Sequence, residues 1–331
     1  MLKQRWKAIL LLTGIGVIAV FCWLLYMGER PLLERATPVV AGTERWIQEY
    51  GGYFWASDQE ILSFREVGRG NVHAYRVDIV TGAARPLMTL NTLLRGSARD
   101  TAFWRLSPDG KWLVWLNLTP PRPHWVASPL DGSPSVTWPV LGNSQGPLWL
   151  PGNQSWVEFS LQGMNTAVPW IHNLDGTVQH GPTINGSLRW PIGVTSTNRV
   201  LSVEMPMNAI LQNVTYSLTS PPTPAQTYQV ALPGSTGTAI ETELSPQGDR
   251  VAYLLHSERQ SPVQQFLHWL IPSADSPSIA RYSIWVSRVD GSQTHRIGDE
   301  EGHAVTALLW TPDGKHLSFF CNNTLYTVPA D

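Results

Sequence analysis

One short phrase recurs along the chain. Leu106–Leu116 read LSPDGKWLVWL, Leu244–Leu254 read LSPQGDRVAYL, and Trp310–Phe320 read WTPDGKHLSFF. Such repetition constrains the fold more than composition does, because every copy must build the same supersecondary unit. Aligned on the aromatic that closes the phrase, the copies extend to six, starting at Ala56, Ser107, Pro151, Thr195, Ser245 and Thr311. The inward position two before the close reads Leu62, Leu113, Val157, Leu201, Val251 and Leu317. The close itself reads Phe64, Trp115, Phe159, Val203, Tyr253 and Phe319. Alternation with period two marks a strand with one face on a core.

A second landmark is a Gly turn further along each unit but the last, at Gly82, Gly132, Gly176, Gly234 and Gly291, mostly written Asp-Gly. Each unit then reads strand, S-P-D-G turn, strand, loop, strand, D-G turn, strand. Four short antiparallel strands per unit, repeated six times, predict an all-β, six-bladed β-propeller of four-stranded blades. In S-P-D-G, Pro presets φ, Asp suits the next position and Gly relieves a left-handed exit. Asp109 and Asp313 are therefore read as turn formers, not as catalytic acids. Composition agrees: only 15% of residues are charged, against 27 Gly, 26 Pro and 16 Trp, a balance suited to turns and half-buried pleated surfaces. A formal net charge of -2 with no basic run argues against nucleic acid as a partner.

Ahead of the repeats, Lys3, Arg5 and Lys7 precede an uncharged run from Ala8 to Met27. As a helix this run is about 30 Å long, the thickness of a bilayer's hydrocarbon core. A cleaved signal peptide is the rival reading, but its apolar region is usually shorter and ends in small residues, unlike WLLYMGER. Cys22 follows Phe21, where a lipid-attachment signal wants a small residue, and no disulfide between Cys22 and Cys321 is expected. The chain divides into a cytoplasmic basic flank (1–7), one N-terminal transmembrane helix (8–27), a linker with a ring-closing strand (28–51) and the propeller (52–331). The basic flank stays inside, so everything after Met27 faces outward. The last stretch, NNTLYTVPAD, supplies only a third strand to unit six, and an open edge is a liability. Arg35 to Arg45 is therefore expected to pair with Thr324–Val328. Fully extended, the ten residues from Met27 to Thr37 span at most about 35 Å, which would turn the S-P-D-G face to the membrane.

The strings L/W-S/T-P-D/Q-G-K/D with a following D-G-S resemble the WD40-like repeats of the TolB-like propeller family. The resemblance covers about residues 52 to 331 and is clearest in units two, five and six. It implies a periplasmic or surface-facing binding or scaffold protein, here a single-pass protein of a bacterial inner membrane with a protein partner. Similar propellers cap prolyl-oligopeptidase-like peptidases, for whose hydrolase domain this chain has no room. The reading is a binding module without enzyme activity. Its rivals are a channel-site hydrolase, lactonase-like or glycan-processing, and a sensor or assembly factor for another membrane protein.

No catalytic residue, metal or cofactor is expected. Gly142 to Gly146, GNSQG, matches the G-x-S-x-G of serine hydrolases, but it joins two strand-like segments, whereas that motif works at a strand-to-helix turn. Glu241 and Glu243 alternate on the first strand of unit five, so both leave one face. Lining a central channel, they bind a cation or cationic ligand, or else form a solvated wall. The other first strands, TAFWRL, GPLWL and VTALLW, offer almost no further oxygen ligands. Units four and five are longer than the others between their second and third strands, and long loops in compact domains are usually functional. In unit five, Ser261 suits an N-cap, Pro262 the first helical position and Gln264 a capping box, ahead of the stripe Val263, Phe266, Leu267 and Leu270. That helix either lids the propeller's own surface or carries Phe266 and Trp269 to a partner on the face of the long loops.

Overall fold

The structure is a computed structural model that describes residues 31–41, 53–66, 72–93, 101–119, 121–141, 146–162, 166–181, 183–185, 190–195, 197, 199–204, 213–220, 223–231, 238–259, 279–322 and 324–331. The first strand in the chain, β1 (Thr37–Ala41), is used last, on the final sheet. Sheet one is β2 (Tyr53–Ser57), β3 (Glu60–Glu66), β4 (Val72–Asp78) and β5 (Ala84–Pro86). Sheet two is β6 (Thr101–Leu106), β7 (Trp112–Asn117), β8 (His124–Pro129) and β9 (Val136–Pro139). Sheet three is β10 (Leu148–Trp149), β11 (Ser155–Leu161), β12 (Thr166–Asn173) and β13 (Val178–His180), with β14 (Ile184–Asn185) also paired to β12. Sheet four is β15 (Trp190–Val194), β16 (Val200–Glu204), β17 (Asn213–Ser220) and β18 (Thr223–Ala231). Sheet five is β19 (Thr238–Leu244), β20 (Arg250–Arg259), β21 (Ile279–Arg288) and β22 (His295–Glu301). Sheet six is β23 (Val305–Trp310), β24 (His316–Cys321), β25 (Thr324–Pro329) and then β1. Every pairing inside these sheets is antiparallel, the arrangement of a β-propeller.

The S-P-D-G phrase does the turning. Gly110 N–H donates to the Ser107 carbonyl at 2.8 Å, and Gly110 has φ +68. The Ser107 hydroxyl donates to Asp109 Oδ1 and accepts the amides of Lys111 and Trp112. Thr311 repeats this with Asp313 and His316, and Ser245 with Asp249 and Arg250. Successive turns also touch. Gln247 donates to the Asp313 carbonyl, the Asp313 amide donates to Asp58, and a Cβ on Gly110 would sit 1.9 Å from the Ala56 carbonyl oxygen. Turns of sheets five, six, one and two thus interlock along one face.

The second strands differ from the sequence expectation in one respect. The inward positions and the described closing aromatics are buried, as expected. The residues between them are buried too: Ser63, Val114, Glu158, Ser202, Ala252 and Ser318. The alternation therefore separates two protein interfaces, large side chains on one face and small or polar ones on the other, instead of core from solvent. Each sheet is packed between neighbours. Trp55 Nε1 and the Tyr53 hydroxyl reach Ser318 Oγ at 2.7 and 2.6 Å, joining sheet one to sheet six. Glu158, buried among the tryptophans between sheets two and three, meets His172 at 3.1 Å, and His172 stacks on Trp156. A polar side chain with no access to water needs such a partner.

The N-terminal segment behaves partly as expected. β1 pairs with β25, Thr37 opposite Thr327 and Ala41 opposite Thr324. The stretch before β1 falls short of that maximum reach, because Leu32–Arg35 forms one helical turn whose Leu32 is fully buried among Leu254, Ile284, Ile297 and Val328. Pro31 bridges to Asp299, and Arg35 donates to the carbonyls of Ile297 and Asp331. With this stretch docked, the reach argument that turned the S-P-D-G face to the membrane loses its basis. Residues 8–27 lie outside the described residues; among the described ones, no helix is long and apolar enough to cross a membrane.

Unit four also needs correction. Its third and fourth strands turn between Ser220 and Thr223, which pair with each other, so Gly234 is not that turn. The extra length counted for unit four therefore lies partly after its fourth strand, not before its third. Unit five keeps the expected position, since its additional residues fall between β20 and β21.

Candidate binding site on the inner strands

The first strands of successive sheets touch one another. Trp149 Nε1 of β10 donates to the Arg105 carbonyl of β6 at 3.5 Å, and Trp310 Nε1 of β23 donates to the Glu243 carbonyl of β19 at 3.1 Å. The Tyr53 hydroxyl of β2 donates to the Ala307 carbonyl of β23 at 3.2 Å. Most of these strands are also bulged. Register shifts occur in β2, β6, β15, β19 and β23. At two bulges a non-glycine residue holds a left-handed backbone, Phe103 with φ 56 and Ala307 with φ 55. Bulges re-aim side chains and free backbone groups from the ladder.

The bulge in β23 accounts for Glu241. With the ladder interrupted between Thr306 and Leu309, the amides of Ala307 and Leu308 turn to the Glu241 carboxylate at 2.9 and 2.5 Å. Burial raises the Glu241 carboxyl above its ordinary range, and those two amides oppose the rise. Glu243 leaves the same face of β19 and meets Arg105 Nη1 at 4.0 Å. Its side chain is 25% exposed and that of Arg105 43%. Burial lifts the Glu243 carboxyl to about 7, with Arg105 pulling it down and Glu241 pushing it up. The Tyr53 phenol, fully enclosed, is raised by burial while its bond to Ser318 opposes the shift.

The two glutamates read from the sequence are therefore brought together, and each is already engaged by protein. Phe266 and Trp269 lie outside the described residues, as do residues 142–145 of the GNSQG stretch, which links β9 to β10. Sequence reasoning missed Arg105 and Tyr53. Arg105 left a signal: it stands two residues before Ser107, as Glu243 stands two before Ser245, the same place in the repeat. Among the described residues, no group of three or more His, Cys, Asp or Glu side chains is placed to hold a metal ion.

A scan against protein-family models and a search of curated proteins give no match. Among solved structures the chain is similar to TolB from Acinetobacter baumannii, with 12% identity and a TM-score of 0.48 over 79% of this chain and 60% of that one. It is also similar to the β-propeller domain of the Trilobed protease from Pyrococcus furiosus, with 12% identity and a TM-score of 0.44 over 84% and 83% of the two chains. A third similar structure is oligogalacturonate lyase from Vibrio parahaemolyticus, with 9% identity and a TM-score of 0.47 over 87% and 90%. The chain spans only 60% of the length of the Acinetobacter TolB chain.

Proposed function

We propose that the sheets are the six blades of one closed propeller, and that this propeller is a membrane-anchored, extracytoplasmic protein-binding module. Closure is supported by β1 completing sheet six and by the Tyr53, Trp55 and Ser318 contacts that join sheet six to sheet one. The anchor reading rests on residues 8–27 and their basic flank, and that flank supports an outward-facing propeller. Contacts with the propeller begin at Pro31, only four residues past Met27, so an anchor there would hold the propeller close to the bilayer.

The observation that carries binding over catalysis is the state of the ionisable inner-strand side chains. Glu241 is capped by two amides, Glu243 is paired with Arg105, and Tyr53 is bonded to Ser318 and Ala307. A general base or nucleophile has to be presented to a substrate; these groups are spent on joining strands. Partner contact is expected on the face opposite the S-P-D-G turns, where β20 ends at Arg259 and β21 begins at Ile279. Photo-crosslinkers placed at Trp269 and, on the other face, at Asp109 test this in the intact, membrane-bound chain. A discrete crosslinked protein from Trp269 and none from Asp109 is expected; the reverse would overturn the assignment of faces. Calcium tests the rival channel hydrolase, because a metal bound by the folded state raises its melting temperature.

A further inference from the structure

Arg105 and Glu243 belong to sheets that are not neighbours. Along the chain, sheets three and four separate them, yet their side chains approach to 4.0 Å. In the closed ring proposed above, on which this inference rests, sheets two and five stand opposite one another. The ion pair then spans the central channel. Its two ends sit on fixed backbone, since each residue's carbonyl accepts an indole N–H from the following sheet, Trp149 for Arg105 and Trp310 for Glu243. Two exposed apolar side chains flank the pair on the same strands, Phe103 at 48% and Ile240 at 43%.

We propose that Arg105 and Glu243 form a charge-operated latch across the channel, closed while the carboxylate is ionised and released when it takes up a proton. The ionisable groups facing the latch can be named strand by strand. β2 brings Tyr53, β6 brings Arg105 itself, and β19 brings Glu241 beside Glu243, whereas β10, β15 and β23 bring none. Glu241 stays tied to the Ala307 and Leu308 amides, and Tyr53 to Ser318. Among the described residues of the first strands, Glu243 is thus the carboxyl whose charge can change without first breaking a hydrogen bond to the backbone. Its carboxyl, lifted by burial to about 7, titrates near neutrality.

The latch predicts pH-dependent access to the channel wall. With Cys22 replaced by Ser, Ile240→Cys reports on access to the strand that carries Glu243, and Val80→Cys, on an exposed turn, corrects for the reactivity of the thiol itself. The ratio of their maleimide labelling rates is measured at roughly pH 5.5 and roughly pH 8. The ratio should be about tenfold higher in acid, following the protonated fraction of a carboxyl that titrates near 7. Adding Glu243→Gln should make it high at both pH values, and Arg105→Gln should do the same from the other end. A ratio that stays low at every pH in the parent overturns the latch while leaving the ring intact. A ratio near one at every pH overturns the closed ring itself. Persistence of the pH dependence in Glu243→Gln assigns it to another group and also overturns the latch.

Discussion

Glu243 carries a carboxyl that burial holds at about 7 instead of its ordinary 4.5. An unfolded chain ionises that group from about pH 4.5 upward, while the folded chain keeps the proton until about pH 7. Its contribution to stability is therefore fully present below about pH 4.5 and is lost as pH rises to about 7. Glu243→Gln cannot lose that proton. The melting-temperature difference, Glu243→Gln minus parent, should be more positive at about pH 8 than at about pH 5; an equal difference would show that the folded protein does not hold the proton. The turn aspartates behave in the opposite sense. The amide of Ser133 holds the Asp131 carboxyl below its usual range, and the hydroxyls of Thr177 and Ser292 do the same for Asp175 and Asp290. Those contributions are present above the usual carboxylate range and fade as pH falls below it.

Two glycines separate the cost of a turn from the cost of packing turns together. Gly82 (φ +70) and Gly110 (φ +68) share a left-handed backbone, but only Gly110 lies against a neighbouring turn. Gly82→Ala should cost about 1–2 kcal/mol in urea unfolding, the strain of a left-handed residue bearing a Cβ. Gly110→Ala should cost clearly more, because its Cβ must displace the Ala56 carbonyl as well. Equal losses would mean that the turns of sheets one and two do not interlock. The turn chemistry itself was legible in the sequence, since Ser, Pro, Asp and Gly act through bonds a few residues apart. The false turn at Gly234 arose from the same local logic: a Gly was available, yet β17 and β18 already pair at Ser220 and Thr223, well before it.

The junction of sheets six and one decides whether the whole molecule is one cooperative ring. Ser318 is buried and receives both Trp55 Nε1 and the Tyr53 hydroxyl. Ser318→Ala strands the buried Trp55 Nε1–H, while the Tyr53 hydroxyl keeps the Ala307 carbonyl, and should cost about 1–3 kcal/mol, read as a fall in the denaturant midpoint. Leu32→Ala removes a fully buried side chain from the cluster shared by sheets five and six, and about 2–5 kcal/mol is expected. Deleting residues 35–43, which include β1, should lower the melting temperature of the entire propeller in a single transition. A deletion that melts like the parent would show that β1 is an ornament on sheet six and not its closure.

Sequence alone determined the strands, their turns and the unit they repeat, because period-two burial and turn preference are properties of neighbouring residues. It also determined that β25 lacked an outer partner and that the segment after Met27 was available to supply one. Tertiary structure decided what faces what. Whether Ser63 and Ser318 meet solvent or another sheet depends on stacking between units. The meeting of Arg105 with Glu243, and of Glu241 with the amides of a bulge in β23, depends on strands brought together from different sheets. Those contacts are set by how twisted sheets pack against one another, a relation that no short window of sequence contains.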